Sequence, residues 1–229
     1  MESYGTTHIF SSFDESLREL RKNALMMASL TERSLERAEK GLFERDEDWC
    51  NTVIADDEEI DTLEIQLDQD GIGVMLKFHP VASDMRTVVA TMKLSVNLER
   101  IADQTVNIAR RARKLLLRPT LDTTATLRPL FDFSTDMVKD AIRAFADGDA
   151  DLARGLRERD RELDRLHREF ANQVTDIMPT DPENIPSYMD LIFIAKFIER
   201  IGDQAKSIGN DTIYALLNED VRHQLRRKD

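Results

Sequence analysis

One cysteine, Cys50, stands in a chain of 229 residues. No intramolecular disulfide can form, and the composition fits a reducing cytosol. Glycine (8) and proline (6) are scarce for this length, which argues against a fold of many short strands and tight turns. No run of about 18 apolar residues occurs, so no spanning helix is expected. Contact with a membrane would run through a partner protein. The first 17 residues carry neither a basic start nor an apolar stretch of signal-peptide length, and a cytoplasmic protein is expected. Basic charge is in deficit, 32 Lys and Arg against 44 Asp and Glu, for a net charge of −12. Such a chain repels nucleic acid and anionic head groups. There is no Gly-rich phosphate loop, no G-x-S-x-G and no paired cysteine motif. The four histidines (His8, His79, His167 and His223) have no ligand-like spacing with one another, although His167 follows Asp164 closely enough to join a site.

What remains is a mixture of 33% charged and 41% hydrophobic residues, the composition of long amphipathic helices. The length suffices for a substantial core. Apolar periodicity, prolines and acidic turns predict an all-α fold of six long helices. They run from after Ser11 or Ser12 to about residue 41, then at about 47–78, 82–117, 130–145, 151–178 and 187–217. Gly71 and Gly73 are expected to weaken or bend the second helix. Ser83 is the N-cap candidate of the third. Residues 120–129 read as a link, so residues 1–119 and 120–229 form two tandem three-helix bundles. The tail VRHQLRRKD, residues 221–229, is basic and expected to fray. Cys50, beside Trp49, reads as a packed thiol.

A motif occurs twice. Residues 98–108, LERIADQTVNI, recur as IERIGDQAKSI at 198–208. Upstream, Asp57-x-x-Ile60-Asp61-x-Leu63 recurs as Asp160-x-x-Leu163-Asp164-x-Leu166. The chain is therefore an internal duplication. Acids four residues apart share one helix face, and each half holds two such pairs: Asp57/Asp61 with Glu99/Asp103, and Asp160/Asp164 with Glu199/Asp203. Antiparallel helices could set the pairs of one half face to face. Four carboxylates so placed repel unless a cation or arginine compensates. Oxygen-only ligation suits Mg, Mn, Ca or ferric iron. The plainer reading is a solvated acidic face with Arg100 and Arg200 as ion-pair partners.

With L-E-R-I-A-D at 98–103, I-E-R-I-G-D at 198–203 and P-V-A-S-D-M-R at 80–86, the sequence resembles the PhoU family of phosphate-signalling regulators. The resemblance covers roughly residues 12–217. It implies two similar three-helix bundles packed side by side, often as a homodimer. It also implies metal sites on the bundle surface, which carry over to Glu99, Asp103, Glu199, Asp203, Asp57, Asp61, Asp160 and Asp164, with Fe, Mn, Mg or Zn as the metals to consider. The role implied is negative regulation of phosphate uptake and phosphate-starvation signalling. Such proteins mediate between the ATPase subunit of a phosphate ABC transporter and a sensor histidine kinase, and are not enzymes. The sequence departs from the family at Gln104 and Gln204, where relatives often carry His; glutamine offers only a carbonyl oxygen. The alternatives of another class are a metal-dependent phosphoester hydrolase and a metal-storage bundle with carboxylates turned into its core.

Overall fold

The computed structural model describes residues 4–222, with side chains from Ser12 onward. Its helices are α1 (Tyr4–Phe43), α2 (Glu47–Phe78), α3 (Ser83–Leu116), α4 (Arg128–Asp147), α5 (Ala150–Ile177) and α6 (Ile185–Leu217). The described residues contain no strand, and the expected all-α class stands. His8 and His223 lie outside the described side chains, as does the basic tail from residue 223.

Local chemistry sets the helix ends. Asp46 caps α2 by accepting the amides of Asp48 (2.8 Å) and Trp49 (3.2 Å). Asp149 caps α5 in the same way through Asp151 and Leu152. A side-chain oxygen at this position satisfies amides that have no partner within the helix. Gly148 ends α4 at φ +69°, the left-handed conformation in which glycine has no Cβ to clash.

Three expectations need correction. α1 starts at Tyr4, and Ser11 and Ser12 lie inside it. Hydroxyl residues are tolerated there because they can bond the preceding turn's carbonyls, as Ser16 does to the Ser12 carbonyl (2.9 Å). Ser83 is the first residue of α3 rather than its cap. The cap is Ala82, at φ 49° and ψ −115° with no side-chain bond to the helix. The Asp84 amide reaches the Val81 carbonyl across this turn (3.2 Å), and the Ala82 angles match the first central position of a type II′ turn, which favours glycine. The tail does not fray at its start, because Val221 is buried with Ala144, Ala153 and Ile213. α2 runs on through Gly71 and Gly73, and a Cβ on Gly71 would meet the Met92 side chain at 2.6 Å.

Each half packs its three helices together, and α3 and α6 pack against each other across the halves. Buried side chains from both halves join in one core, from Leu20, Met27 and Leu98 to Phe131, Leu163 and Ile201. Two polar ties set the register of α3 on α6. Lys93 Nζ donates to Asp211 (2.8 Å) near one end. Near the other, Asp190 accepts from Arg111 (2.6 Å) and Arg118 (2.8 Å). The lower number on α3 meets the higher on α6, so the two helices run antiparallel. Midway between the ties lie the two copies of the duplicated motif. Arg45 fastens the end of α3 by donating to the carbonyls of Leu115, Leu116 and Arg118, groups that a helix C-terminus leaves unsatisfied.

Two substitutions test this account. Ala82→Gly relieves the positive-φ backbone and is expected to raise unfolding stability by about 1 kcal/mol in a urea titration. Asp190→Ala leaves two guanidinium groups without their shared carboxylate. Because both arginines keep some solvent contact, it is expected to cost about 2 kcal/mol; a loss within about 0.5 kcal/mol, the usual size at a neutral surface site, would contradict the clamp.

Candidate functional site

α2 and α3 carry the first carboxylate face. Asp57, Asp61 and Glu64 follow one another at helical spacing on α2, and Glu99 and Asp103 do so on α3. The two sets share one electrostatic environment. Burial, followed by the charges of Asp61 and Asp103, pushes the Asp57 carboxyl from an ordinary 3.8 up to about 6. Burial, then Asp103, Glu64 and Asp61, raises Glu99. Glu64 is raised by burial, then by Asp68 and Asp61. Arg110 and Arg100 lower Asp57 and Glu99 through charge alone. Among the described residues neither Arg100 nor Arg200 closes an ion pair of the kind the sequence suggested. The first face is thus a set of mutually repelling carboxylates with no basic group bonded to it.

The second face, on α5 and α6, repeats the arrangement with an added cation. Lys206 Nζ lies 2.7 Å from Asp160 Oδ2 and 2.6 Å from Asp203 Oδ1, joining the two helices. Burial works against the Lys206 charge, but the bonds to Asp160 and Asp203 outweigh it and hold its pKa above the ordinary value. Asp160 remains raised because its own burial outweighs the lysine bond. Lys196 Nζ donates to Glu199 Oε2 (2.6 Å). His167 is half-buried beside this pair: burial lowers its pKa, while Glu199 and Asp164 oppose the shift.

The structure therefore brings the eight predicted acids together in two groups, one per half. All lie on the outside of the bundles: Asp61 and Asp103 are exposed, the other six half-buried, and none enters the core. Among the described residues, no three acidic, histidine or cysteine side chains converge tightly enough to enclose a metal ion. In donor chemistry the first face suits a hard cation: it is all oxygen, no basic group is bonded to it, and burial followed by neighbouring carboxylate charge raises Asp57, Glu64 and Glu99. The second face already holds ammonium groups.

Sequence reasoning missed Glu64, Lys196 and Lys206. Glu64 follows Asp61 by three residues, Lys206 follows Asp203 by three, and Lys196 precedes Glu199 by three, so all three were readable from helical spacing. Gln104, the residue flagged in place of histidine, has its Oε1 buried without a hydrogen-bond partner. Cys50 is fully buried and burial pushes its thiol up to about 11, the behaviour of a packed, unreactive side chain.

The fold and the paired acidic faces define a class: a duplicated, all-helical protein of two three-helix bundles with carboxylates on their outer surfaces. The sequence profile of the PhoU domain matches twice, at residues 25–112 and 127–212. The phosphate-specific transport system accessory protein PhoU homolog of Pseudomonas putida is 33% identical over 219 residues, covering 95% of this chain and 86% of that protein. PhoU of Escherichia coli is 29% identical over 216 residues, covering 94% and 90%. The crystal structure of PhoU from Pseudomonas aeruginosa superposes with a TM-score of 0.88 at 29% identity, covering 90% of this chain and 100% of that one. The chain belongs to the PhoU family.

One prediction follows from Asp57. A carboxyl whose folded pKa exceeds its unfolded value keeps its proton longer when folded. The native state then binds more protons between pH 3.8 and about 6, and stability falls as pH rises through that window. In chelator-treated protein, Asp57→Asn is expected to raise stability at pH 7.5. Solvent screening of this half-exposed group limits the gain to about 1 kcal/mol, and it should vanish below pH 4. A gain that is the same at both pH values would mean that charge repulsion is not its source.

Proposed function

We propose that this protein is a cytoplasmic negative regulator of phosphate uptake and phosphate-starvation signalling. It acts as an adaptor between the ATPase subunit of a phosphate ABC transporter and a sensor histidine kinase. The observation that carries the reading is the double match to the PhoU domain over most of the chain, together with relatives named as accessory proteins of the phosphate-specific transport system. The two matches sit on either side of residue 120, in keeping with units of 1–119 and 120–229.

The placement of the acids supports a regulator over a metal store. A storage bundle turns its carboxylates inward, around ions held in the core; here the core is apolar and the acids face outward. Where a metal binds, Asp57, Asp61, Glu99 and Asp103 would hold it, and it would supply a positive centre able to attract an anion or join the helices. Docking on partners would use helix faces and turns, without chemistry by this chain. The α2–α3 turn is suited to it, since Leu76 and Val81 are 70% and 74% exposed there beside the strained Ala82 backbone. Assembly as a homodimer belongs to the same reading.

The test is a phosphate-repressible reporter in phosphate-replete medium. Deletion of the gene is expected to raise expression, and restoring the gene to repress it again. Equal low expression in both strains would overturn the regulatory role.

A further inference from the structure

The two carboxylate faces are copies of one design, yet their charge is balanced in different ways. At the positions where the second half carries Lys196 and Lys206, the duplicated first half carries Val96 and Val106. Every other charged residue of the motif core, Glu99, Arg100 and Asp103, has its counterpart in Glu199, Arg200 and Asp203. Lys206 reaches both Asp160 on α5 and Asp203 on α6 at hydrogen-bond distance. Its side chain and that of Asp160 are largely buried, 26% and 13% exposed. Lys196 occupies Glu199, whose side chain is 13% exposed. These are charge-assisted bonds in a partly desolvated setting, where they are strong. A cation arriving at this face would meet two ammonium groups already bound to its ligands.

We infer that Lys206, with Lys196, is a built-in replacement for a metal ion, so that the second face is closed to metal and any metal capacity is confined to the first. This rests on the reading of the first face as a cation site, but the closure of the second can be judged separately. An ammonium donates three hydrogen bonds to carboxylate oxygens and neutralises one charge. It ties α5 to α6 as a divalent ion would, without exchanging with the medium. The two halves therefore share a fold and a motif but differ in what holds them: one exchangeable cation site and one fixed cation.

The experiment counts bound Mn2+ by electron paramagnetic resonance on chelator-treated, full-length protein, with circular dichroism confirming helicity. The variant Lys196→Val/Lys206→Val copies the first half's residues. It is expected to bind about one more equivalent of Mn2+ than the unaltered chain, and Asp160→Asn/Asp203→Asn added to it should remove that equivalent. In the unaltered chain, Asp160→Asn/Asp203→Asn should leave Mn2+ uptake unchanged, while Asp57→Asn/Asp103→Asn should abolish it. Loss of Mn2+ from the unaltered chain on Asp160→Asn/Asp203→Asn would overturn the proposal. So would a well-folded lysine variant that gains none. Should the unaltered chain bind no Mn2+ and the lysine variant one equivalent, the closure stands and the first-face site fails.

Discussion

The contact of α3 with α6 is the constraint on which the rest of the molecule depends. Each of these helices is the inner wall of its own bundle and also the wall against the other bundle. Each must therefore be apolar on more than one side, and both bury long runs of small and branched residues, among them Ala102, Ala109, Ala112, Ala195 and Ala205. Apolar packing of this kind is non-directional and leaves sliding weakly opposed. The polar ties at each end remove that freedom. Asp190, at the start of α6, is buried and is satisfied by Arg111 and Arg118 at the α3 end. A carboxylate without them would lose water and gain nothing. Shifting the register by one turn would strand both this group and the Lys93–Asp211 pair.

This register also fixes the carboxylate faces. Glu99 and Asp103 share an environment with the α2 acids, and Lys206 joins Asp203 to Asp160 on α5. Close packing behind the acids keeps them in place. A Cβ on Gly202 would approach Leu163 at 2.0 Å, and one on Gly209 would lie 3.0 Å from the Ala153 carbonyl oxygen. α6 thus lies close against α5, near enough for Lys206 to bridge them. The motif residues divide the work: the acids face out, the isoleucines between them are buried, and the small residue beside the second acid sets how near the neighbouring helix comes.

Much of this was legible in the sequence because helix formation and its amphipathic pattern are local. The limits of α2 and the duplicated acids can be read within a window of a few turns. The positions that escaped are of two kinds. The Asp190 clamp joins residues more than 70 positions apart, and nothing in the local pattern of Arg111, Arg118 or Asp190 announces a partner. Ala82 escaped because its backbone angles are imposed by the turn between two packed helices, whereas Ser83 beside it has the chemistry of a cap. Lys206 escaped for another reason. Comparing the two copies for what they share selects the acids and discards the residues that differ, and the difference at Val106 and Lys206 carries the information on charge.

The two faces show how the same repulsion can be handled in two ways. Desolvated carboxylates on adjacent helices push those helices apart unless something positive lies between them. On the second face that group is part of the chain, so its balance persists whatever ions surround the protein. On the first face the repulsion remains, and it adds to burial in raising the Asp57 and Glu99 carboxyls. Unrelieved repulsion between α2 and α3 is the electrostatic setting in which a cation placed between the carboxylates would be favourable. The α2–α3 turn, with its strained Ala82 and exposed Leu76 and Val81, ends the same two helices. The α5–α6 pair, by contrast, is tied across its carboxylates by Lys206.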